Sequence, residues 1–506
     1  MDKLREIIRT FDNHRLQRID VLNNTDTESR STDLYQQIQK GKINTDDEAA
    51  QYLFGKDANK NTGKYRTFKA SFKKKVMNTL LFIDTAKQGL DEYQQAIYEM
   101  NKEWISIRAL YSRGMSAVAT SLGEQLLPNV LKYGYAEVAV PLLSSIKYGI
   151  AMAGNKEEYE KHQDLFDYYL GMWLAEHKAD EFNSRLRMEY VNTAEHKPHM
   201  SDVAKTYHEE LKPLMEKYDS LTLHLYGRCV EVYIYSTIYD YKNLLDVTER
   251  ALAFFKSKPF VLKMGLTIFL QQKMVALMML KRYPEAYDAI NESLKLRQKG
   301  TFNWFKGQES KVALCFRMHH YTEGYAIYKE VTSMPEFSKV LTGMNKEIWL
   351  VFNAYFHLLH KLGKATDLVF EEQDKVFKVQ KFMNDVPTFN SDKKGMHLAV
   401  LIIQICFMMS DKQRVLLIDR IEAIRKYLTR NTDKTDPSYR FHQFGNMLLE
   451  IPKSGFMRSV LENNTASLFK DLQSVPYDMI ESIYRSEVVE LEELWVLMLN
   501  NYEGLR

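Results

Sequence analysis

An internal repeat constrains this chain more than any other feature, because a sequence with a fixed period folds as stacked copies of one unit. Three segments align on the tyrosines Tyr241, Tyr283 and Tyr321, and they read YKNLLDVTERAL, YPEAYDAINESL and YTEGYAIYKEVT. Each has small or apolar residues three and four positions after the tyrosine, and again ten and eleven positions after it. Residues with that spacing lie in one stripe along an α-helix. The pattern predicts a helix with one buried side at each tyrosine.

The segment before each of these tyrosines is also periodic in apolar residues, and it ends in a short basic or polar turn. Each unit is therefore predicted to be a helix hairpin of about 40 residues. Upstream, Gly114, Gly134 and Gly154 recur at intervals of 20 residues. Glycine accommodates the left-handed turn that ends many helices, so each is predicted to separate two helices. A fourth copy is expected to start at Gly363, after a helix over residues 346–362.

Length and composition agree with a helical array. The chain has 506 residues but only 21 glycines and 11 prolines, and so few helix breakers favour helices throughout. We predict an all-α fold: an α-solenoid of stacked hairpins over residues 91–430, between a small helical module (1–90) and a helical cap (431–506). The acidic run SEVVELEEL is interpreted as the polar surface of that cap.

The N-terminal module carries its own structural signals. Thr45 and Glu48 form a capping box, which predicts the start of a helix, and a loop is expected over residues 55–64. The next segment is predicted to be an amphipathic helix. Its apolar side carries Tyr65, Phe68, Phe72, Val76, Leu80 and Ile83.

The segment LKRYPEAYDAINESLKL resembles the second helix of a tetratricopeptide repeat, with Tyr283, Glu285, Ala286, Ile290 and Leu294 on the pattern positions of that family. The segment departs from the pattern at Ser293, where alanine is usual. The repeat units of this chain also exceed the usual length of about 34 residues. The resemblance implies a protein-binding solenoid whose inner face is formed by the first helix of each hairpin. On that face it implies seven candidate partner-binding residues: Tyr226, Tyr233, Gln271, Gln272, Lys306, Glu309 and Arg317.

Motifs for catalysis or for a cofactor are incomplete. The loop around NTGKY would need glycine at Ala58 and Ser or Thr at Tyr65 to bind a nucleotide. HEELK at His208 has Lys212 where a zinc-protease helix has its second histidine. We therefore expect a non-enzymatic scaffold or adaptor with no cofactor and no metal.

The remaining features concern cellular location. The N-terminus, MDKLREIIRT, lacks the apolar core of a secretory signal. The longest apolar run, residues 396–409, is shorter than the stretch of about 20 residues that crosses a membrane. Three cysteines lie far apart without CxxC spacing, which fits a reducing compartment: Cys229, Cys315 and Cys406. We expect a cytoplasmic protein that binds a protein or peptide partner and no membrane.

One stretch carries a strong local charge. Residues 56–75 contain eight basic residues and one acid, in a chain whose formal net charge is only +3. Projected on a helix, the charges surround the polar face and do not form a single stripe. Two interpretations stay open: a solvated helix face, or a contact surface for nucleic acid in a regulator whose repeats sense a partner. The candidate polyanion-binding residues are Lys64, Arg66, Lys69, Lys73, Lys74 and Lys75.

Overall fold

The computed structural model describes residues 30–80, 90–192, 198–371, 377, 382, 396–411, 413–428, 439–474 and 487–501. Helices account for 81% of these residues, in 21 segments, and none of the residues described lies in a strand. Consecutive helices pack against each other as hairpins. The predicted fold class, an all-α solenoid, is confirmed.

The helices and their bounds can be given in chain order. The first seven are α1 (Arg30–Gln39), α2 (Asp46–Phe54), α3 (Gly63–Leu80), α4 (Glu92–Ser112), α5 (Ser116–Lys132), α6 (Ala136–Met152) and α7 (Lys156–Asn192). The next seven are α8 (Pro198–Lys217), α9 (Leu221–Ser236), α10 (Tyr241–Lys256), α11 (Lys263–Met279), α12 (Tyr283–Leu296), α13 (Phe302–Arg317) and α14 (Tyr321–Ser333). The last seven are α15 (Phe337–Val340), α16 (Met344–Lys361), α17 (Met396–Ser410), α18 (Arg414–Leu428), α19 (Tyr439–Lys453), α20 (Arg458–Ser474) and α21 (Leu491–Asn500).

The chain divides into two compact units, and the division falls inside α7. The first unit consists of residues 1–173 with the short connection Pro259–Leu262, and in it α4, α5 and α6 pack against one another. The second unit consists of residues 174–258 and 263–506. In the second unit each helix from α8 to α13 packs against the next, and the series continues from α14 to α16 and on through α21.

Helices α1 to α3 enclose a small apolar core of their own. Tyr35 of α1 and Tyr65 and Phe72 of α3 are at most 1% exposed within it. The predicted capping box starts α2: the Thr45 hydroxyl accepts a hydrogen bond from the Glu48 N–H at 3.2 Å, and the Glu48 carboxylate accepts one from the Thr45 N–H at 3.0 Å. The predicted amphipathic helix is present as α3, because Tyr65 and Phe72 of its apolar side are buried in this core. The Leu80 side chain and Ile83 lie outside the described residues.

The three repeat copies form the hairpins α9–α10, α11–α12 and α13–α14, and each repeat tyrosine begins the second helix as predicted. The buried stripe is present as well. Three positions after the tyrosine, the buried residues are Leu244, Ala286 and Gly324, and ten positions after it they are Ala251, Ser293 and Val331. In the third copy a Cβ added at Gly324 would lie 3.0 Å from the Cβ of Cys315, so the two helices of that hairpin approach closely.

The turns between paired helices share one geometry. Gly134 adopts φ 60° two residues before α6, and Lys281 adopts φ 57° two residues before α12. In each turn the N–H of the following residue donates a hydrogen bond to the carbonyl oxygen five residues before it. The donor–acceptor distance is 3.0 Å for the N–H of Tyr135 and 2.8 Å for that of Arg282. This is the bond of a Schellman motif. The upstream turns thus use glycine as predicted, while the repeat hairpins place larger residues in the same left-handed conformation.

The predicted fourth copy is wrong. Gly363 has φ 74°, like the other turn glycines, but residues 364–371 form turns and irregular chain and no second helix. The Ala365 N–H bonds back to the Leu359 carbonyl at 3.2 Å, and Leu368 and Phe370 are buried in the core of the second unit. Packing of these two side chains outweighs the helical pattern of the segment. The glycine marks the end of α16 but does not determine the conformation of the residues after it.

The acidic run near the C-terminus differs from the solvated cap that was expected. Glu487 is fully buried, and its carboxylate accepts hydrogen bonds from Arg440 of α19 at 2.8 and 3.1 Å. Glu490 lies 3.2 Å from the Arg317 guanidinium at the end of α13. These two carboxylates are therefore paired with arginines that lie far away in the sequence.

Candidate partner-binding site

The second unit contains a pocket of about 570 Å³. Its walls come from the C-terminal half of α7, from α9, α11 and α13, and from the start of α10. Helices α9, α11 and α13 are the first helices of the three repeat hairpins. Because the hairpins stack in register, one face of each first helix contributes to the same concave surface. A volume of several hundred Å³ is typical of pockets that enclose a small ligand or a few side chains of a partner.

The pocket brings together five of the seven candidate partner-binding residues. Tyr233 of α9, Gln271 and Gln272 of α11, and Lys306 and Glu309 of α13 all line it. The Gln272 side chain forms no hydrogen bond with a described residue, so its amide is available to an occupant.

The other two candidates lie elsewhere. Tyr226 is half-buried near the middle of α9, and it does not line the pocket. Arg317, at the end of α13, is buried and donates a hydrogen bond to the Glu487 carbonyl at 2.6 Å. Arg317 thus contacts the C-terminal segment in this structure.

A lysine and a glutamate of α13 form an ion pair inside the pocket. The Lys306 ammonium donates hydrogen bonds to both carboxylate oxygens of Glu309, whose side chain is only 1% exposed. The two residues lie three positions apart and therefore on one side of the helix. Because Lys306 neutralises it, this carboxylate adds no net negative charge to the pocket.

Arg297, in the connection between α12 and α13, is a pocket residue that the sequence analysis missed. Its guanidinium donates hydrogen bonds to the Gln271 side-chain oxygen at 3.0 Å and to the Asn303 carbonyl at 2.5 Å. Its Nε atom is buried and has no hydrogen-bond partner among the residues described. Burial lowers the pKa of Arg297. The repeat pattern gave no signal for this residue, because it assigns pocket positions to helix faces and Arg297 lies in a turn.

The α7 side of the pocket was also missed, since α7 belongs to no repeat copy. Asn183 is 2% exposed, and its side-chain oxygen has no hydrogen-bond partner among the described residues. Arg187, one turn further along, is exposed and forms no ion pair with a described residue. The Tyr190 ring centroid lies 5.8 Å from that of Tyr233, so two aromatic side chains close one part of the wall.

Cys229 of α9 also lines the pocket. Burial raises the pKa of its thiol to about 12. A thiol with this pKa is protonated at neutral pH, and the protonated form is a poor nucleophile. The side chain therefore contributes an apolar surface to the pocket.

The basic candidates of the N-terminal module lie on α3. Lys64, Arg66, Lys73 and Lys74 are exposed, and none of the four forms an ion pair with a described residue. Lys69 differs, because its ammonium lies 2.7 Å from the Asp46 carboxylate, and Lys75 is half-buried.

Within the described residues, His, Cys, Asp and Glu side chains form no group of three or more that could hold a metal ion. Among the described helices, none combines the length and the apolar character that a membrane-spanning segment needs. Comparison with protein-family models, with curated proteins and with solved structures found no match. The tetratricopeptide-like resemblance accordingly rests on the repeat residues of this chain and on their packing as stacked hairpins.

Proposed function

We propose that this chain is a non-enzymatic cytoplasmic scaffold or adaptor whose pocket receives a segment of a partner protein. One observation carries the proposal: five residues expected on the inner face of the repeats line a single concave site. Binding in a groove between stacked helices requires no chemistry from the protein, and helical-repeat arrays use such surfaces for extended partner segments.

The lining supports a peptide as the occupant. Peptide segments combine apolar and aromatic side chains with backbone amides, and this pocket offers surfaces for both. The rings of Tyr190 and Tyr233 can pack against an apolar side chain, and the Gln272 amide can bond to a peptide backbone. Aromatic residues in concave sites contribute a large share of the binding energy at protein interfaces.

The test is affinity capture from the native host with a variant in which the pocket is filled. Gln272→Trp places a large side chain in the pocket without breaking a hydrogen bond to a described residue. Gln125→Trp is the matched control, because Gln125 is an exposed glutamine of α5. We expect nuclease-treated captures from the wild type and from Gln125→Trp to share a partner that Gln272→Trp loses. Identical captures from all three proteins would refute the proposal.

A second candidate function is nucleic-acid binding through α3, which would make the chain a nucleic-acid-linked regulator. The specific observation is that four exposed cations of α3 have no ion-pair partner among the described residues, and α3 itself contains no acidic residue. Unpaired cations on one helix can neutralise phosphates at little cost, because no existing ion pair has to break.

The double substitution Lys73→Gln, Lys74→Gln tests this candidate, with binding to a labelled DNA duplex measured at several salt concentrations. If the lysines contact phosphates, the salt slope of binding falls by about 0.9 for each lost contact. If the helix face is only solvated, binding and stability stay unchanged, since lysine and glutamine have similar helix propensities. The matched control replaces two exposed lysines of α8 with glutamine: Lys212 and Lys217.

A further inference from the structure

The charged groups of the pocket do not balance. Its lining contains three cationic side chains, Arg187, Arg297 and Lys306, and one carboxylate, Glu309. Lys306 already neutralises that carboxylate through two hydrogen bonds. Neither arginine has an ion-pair partner among the described residues. The pocket therefore carries two uncompensated guanidinium groups.

Arg297 is the more constrained of the two. Its two terminal nitrogens are held by Gln271 and by the Asn303 carbonyl, which fixes the plane of the guanidinium. Its buried Nε remains a donor without an acceptor among the described residues. A buried donor without a partner costs free energy, and a half-buried charge without a counter-ion costs more. An anionic group that entered the pocket would offset the cost of the uncompensated charge.

Asn183 provides a second, independent observation. Its side chain is almost completely removed from solvent, and its oxygen has no hydrogen-bond partner among the residues described. Asn183 is on α7 and Arg297 is in the connection between α12 and α13, yet both line the same pocket. The pocket thus holds an unpaired acceptor as well as an unpaired cationic donor. A peptide segment matches the chemistry of this lining, because its backbone N–H groups are donors and an aspartate or glutamate side chain is an acceptor.

We propose that the pocket recognises an acidic peptide segment, whose side-chain carboxylates are attracted by the positive charges of Arg297 and Arg187. The inference rests on the proposed function and specifies the chemistry of the partner. The exposed guanidinium of Arg187 can bind a carboxylate with two parallel hydrogen bonds, which gives geometric selectivity that a lysine does not provide, and Arg297 adds a second positive charge. A phosphate ion shares this oxyanion chemistry, and the experiment separates the two.

The experiment measures binding of two fluorescein-labelled degenerate peptide libraries to the full chain by fluorescence anisotropy. The libraries are identical except at two central positions, which are Asp or Glu in one library and Asn or Gln in the other. We expect the acidic library to bind about tenfold more tightly than the neutral one, as expected for hydrogen bonds to a charged group.

Two pocket variants and one control accompany the wild type. Arg297→Gln should reduce the acidic preference to within about threefold, because the substitution removes one of the two positive charges that attract a carboxylate. Arg187→Gln should reduce it as well, and this variant breaks no ion pair to a described residue, so it separates recognition from folding. Arg282→Gln is the charge-matched control: Arg282 pairs with Glu285 outside the pocket, and its loss should leave the preference unchanged.

Three outcomes would overturn the acidic preference. The first is equal binding of both libraries to the wild type, with binding of both lost in Gln272→Trp. This result would contradict the acidic preference but would agree with the proposed function. The second is an acidic preference that survives both arginine substitutions. The third is Arg297-dependent binding of inorganic phosphate alone, with neither library bound. It would show a small oxyanion as the occupant, and would overturn the acidic peptide and the proposed function together.

Discussion

The buried pair of Arg440 and Glu487 provides a sharp test of how the C-terminal segment is held. Arg440 of α19 is 5% exposed and donates to the Glu487 carboxylate, to the Glu492 carboxylate at 2.6 Å and to the Leu472 carbonyl at 3.0 Å. Glu487 is fully buried. Arg440→Met fills a similar volume but leaves the Glu487 carboxylate buried without its cationic partner.

The expected loss of stability is large. Removing one partner of a buried ion pair typically costs about 3–5 kcal/mol, because the remaining charge is uncompensated in a medium of low polarity. Most surface substitutions, in contrast, change stability by less than about 0.5 kcal/mol. Arg440→Met should therefore lower the urea midpoint by far more than the control Arg458→Met, because Arg458 is exposed and pairs with Glu462 at the surface.

The assay is urea unfolding followed by circular dichroism, run as a double-mutant cycle with Glu487→Gln. In the Glu487→Gln background no charge is left at that position, so Arg440→Met should cost at least about 1.5 kcal/mol less than it does in the wild type. Equal costs in the two backgrounds, within about 0.5 kcal/mol, would refute the reasoning. The loss would then come from packing of the arginine stem and not from the unpaired carboxylate.

Three further predictions concern stability, each measured from urea midpoints. Ala286→Leu should cost about 1–3 kcal/mol, because Ala286 is fully buried in α12 and extra methyl groups overpack the site; an unchanged midpoint would contradict the burial. Lys281→Gly should stabilise the chain by about 0.5–1 kcal/mol, because glycine adopts the left-handed conformation without the steric cost that a larger residue bears. A lower urea midpoint than that of the wild type would contradict this prediction. Burial and the neighbouring Arg228 lower the pKa of His224 to about 4, so the unfolded chain takes up a proton first as the pH falls below about 6.5. Stability should then drop by about 2 kcal/mol between about pH 7 and pH 5, because the contribution of neutral His224 is fully present above the unfolded pKa and is lost below it. His224→Phe can still stack on Phe254 and should remove this pH dependence. An equal drop in the variant would assign the pH dependence to other groups.

The fold could be predicted well where the periodicity is local. The stripe after Tyr283 and the capping box at Thr45 each depend on residues within a few helical turns, and both are present. The prediction of a helix after Gly363 was wrong, because the same glycine turn can precede a helix or irregular chain. It also gave no sign of the left-handed Lys281, since lysine rarely adopts that conformation.

The site could be predicted only where its residues lie on helix faces that the repeat pattern defines. Gln271 and Lys306 lie on faces that the repeat pattern defines, and both line the pocket. Arg297 lies in a turn and Asn183 in a helix outside the repeats, so no local pattern marks either of them. The partner of Arg317 is likewise contributed by a segment more than a hundred residues away in the sequence. Contacts of this kind depend on how the hairpins stack, which periodicity does not specify.

The most direct test of the central claim is site-specific photo-crosslinking from the pocket in living host cells. A photoreactive phenylalanine analogue replaces Tyr233 in the pocket or Tyr148 on the exposed surface of α6, and the crosslinked peptides are mapped by mass spectrometry. We predict that position 233 captures one recurrent partner segment, absent at position 148, and that Arg297→Gln weakens its capture. The same set of crosslinks from both positions, or none specific to position 233, would contradict the claim that the pocket binds a partner.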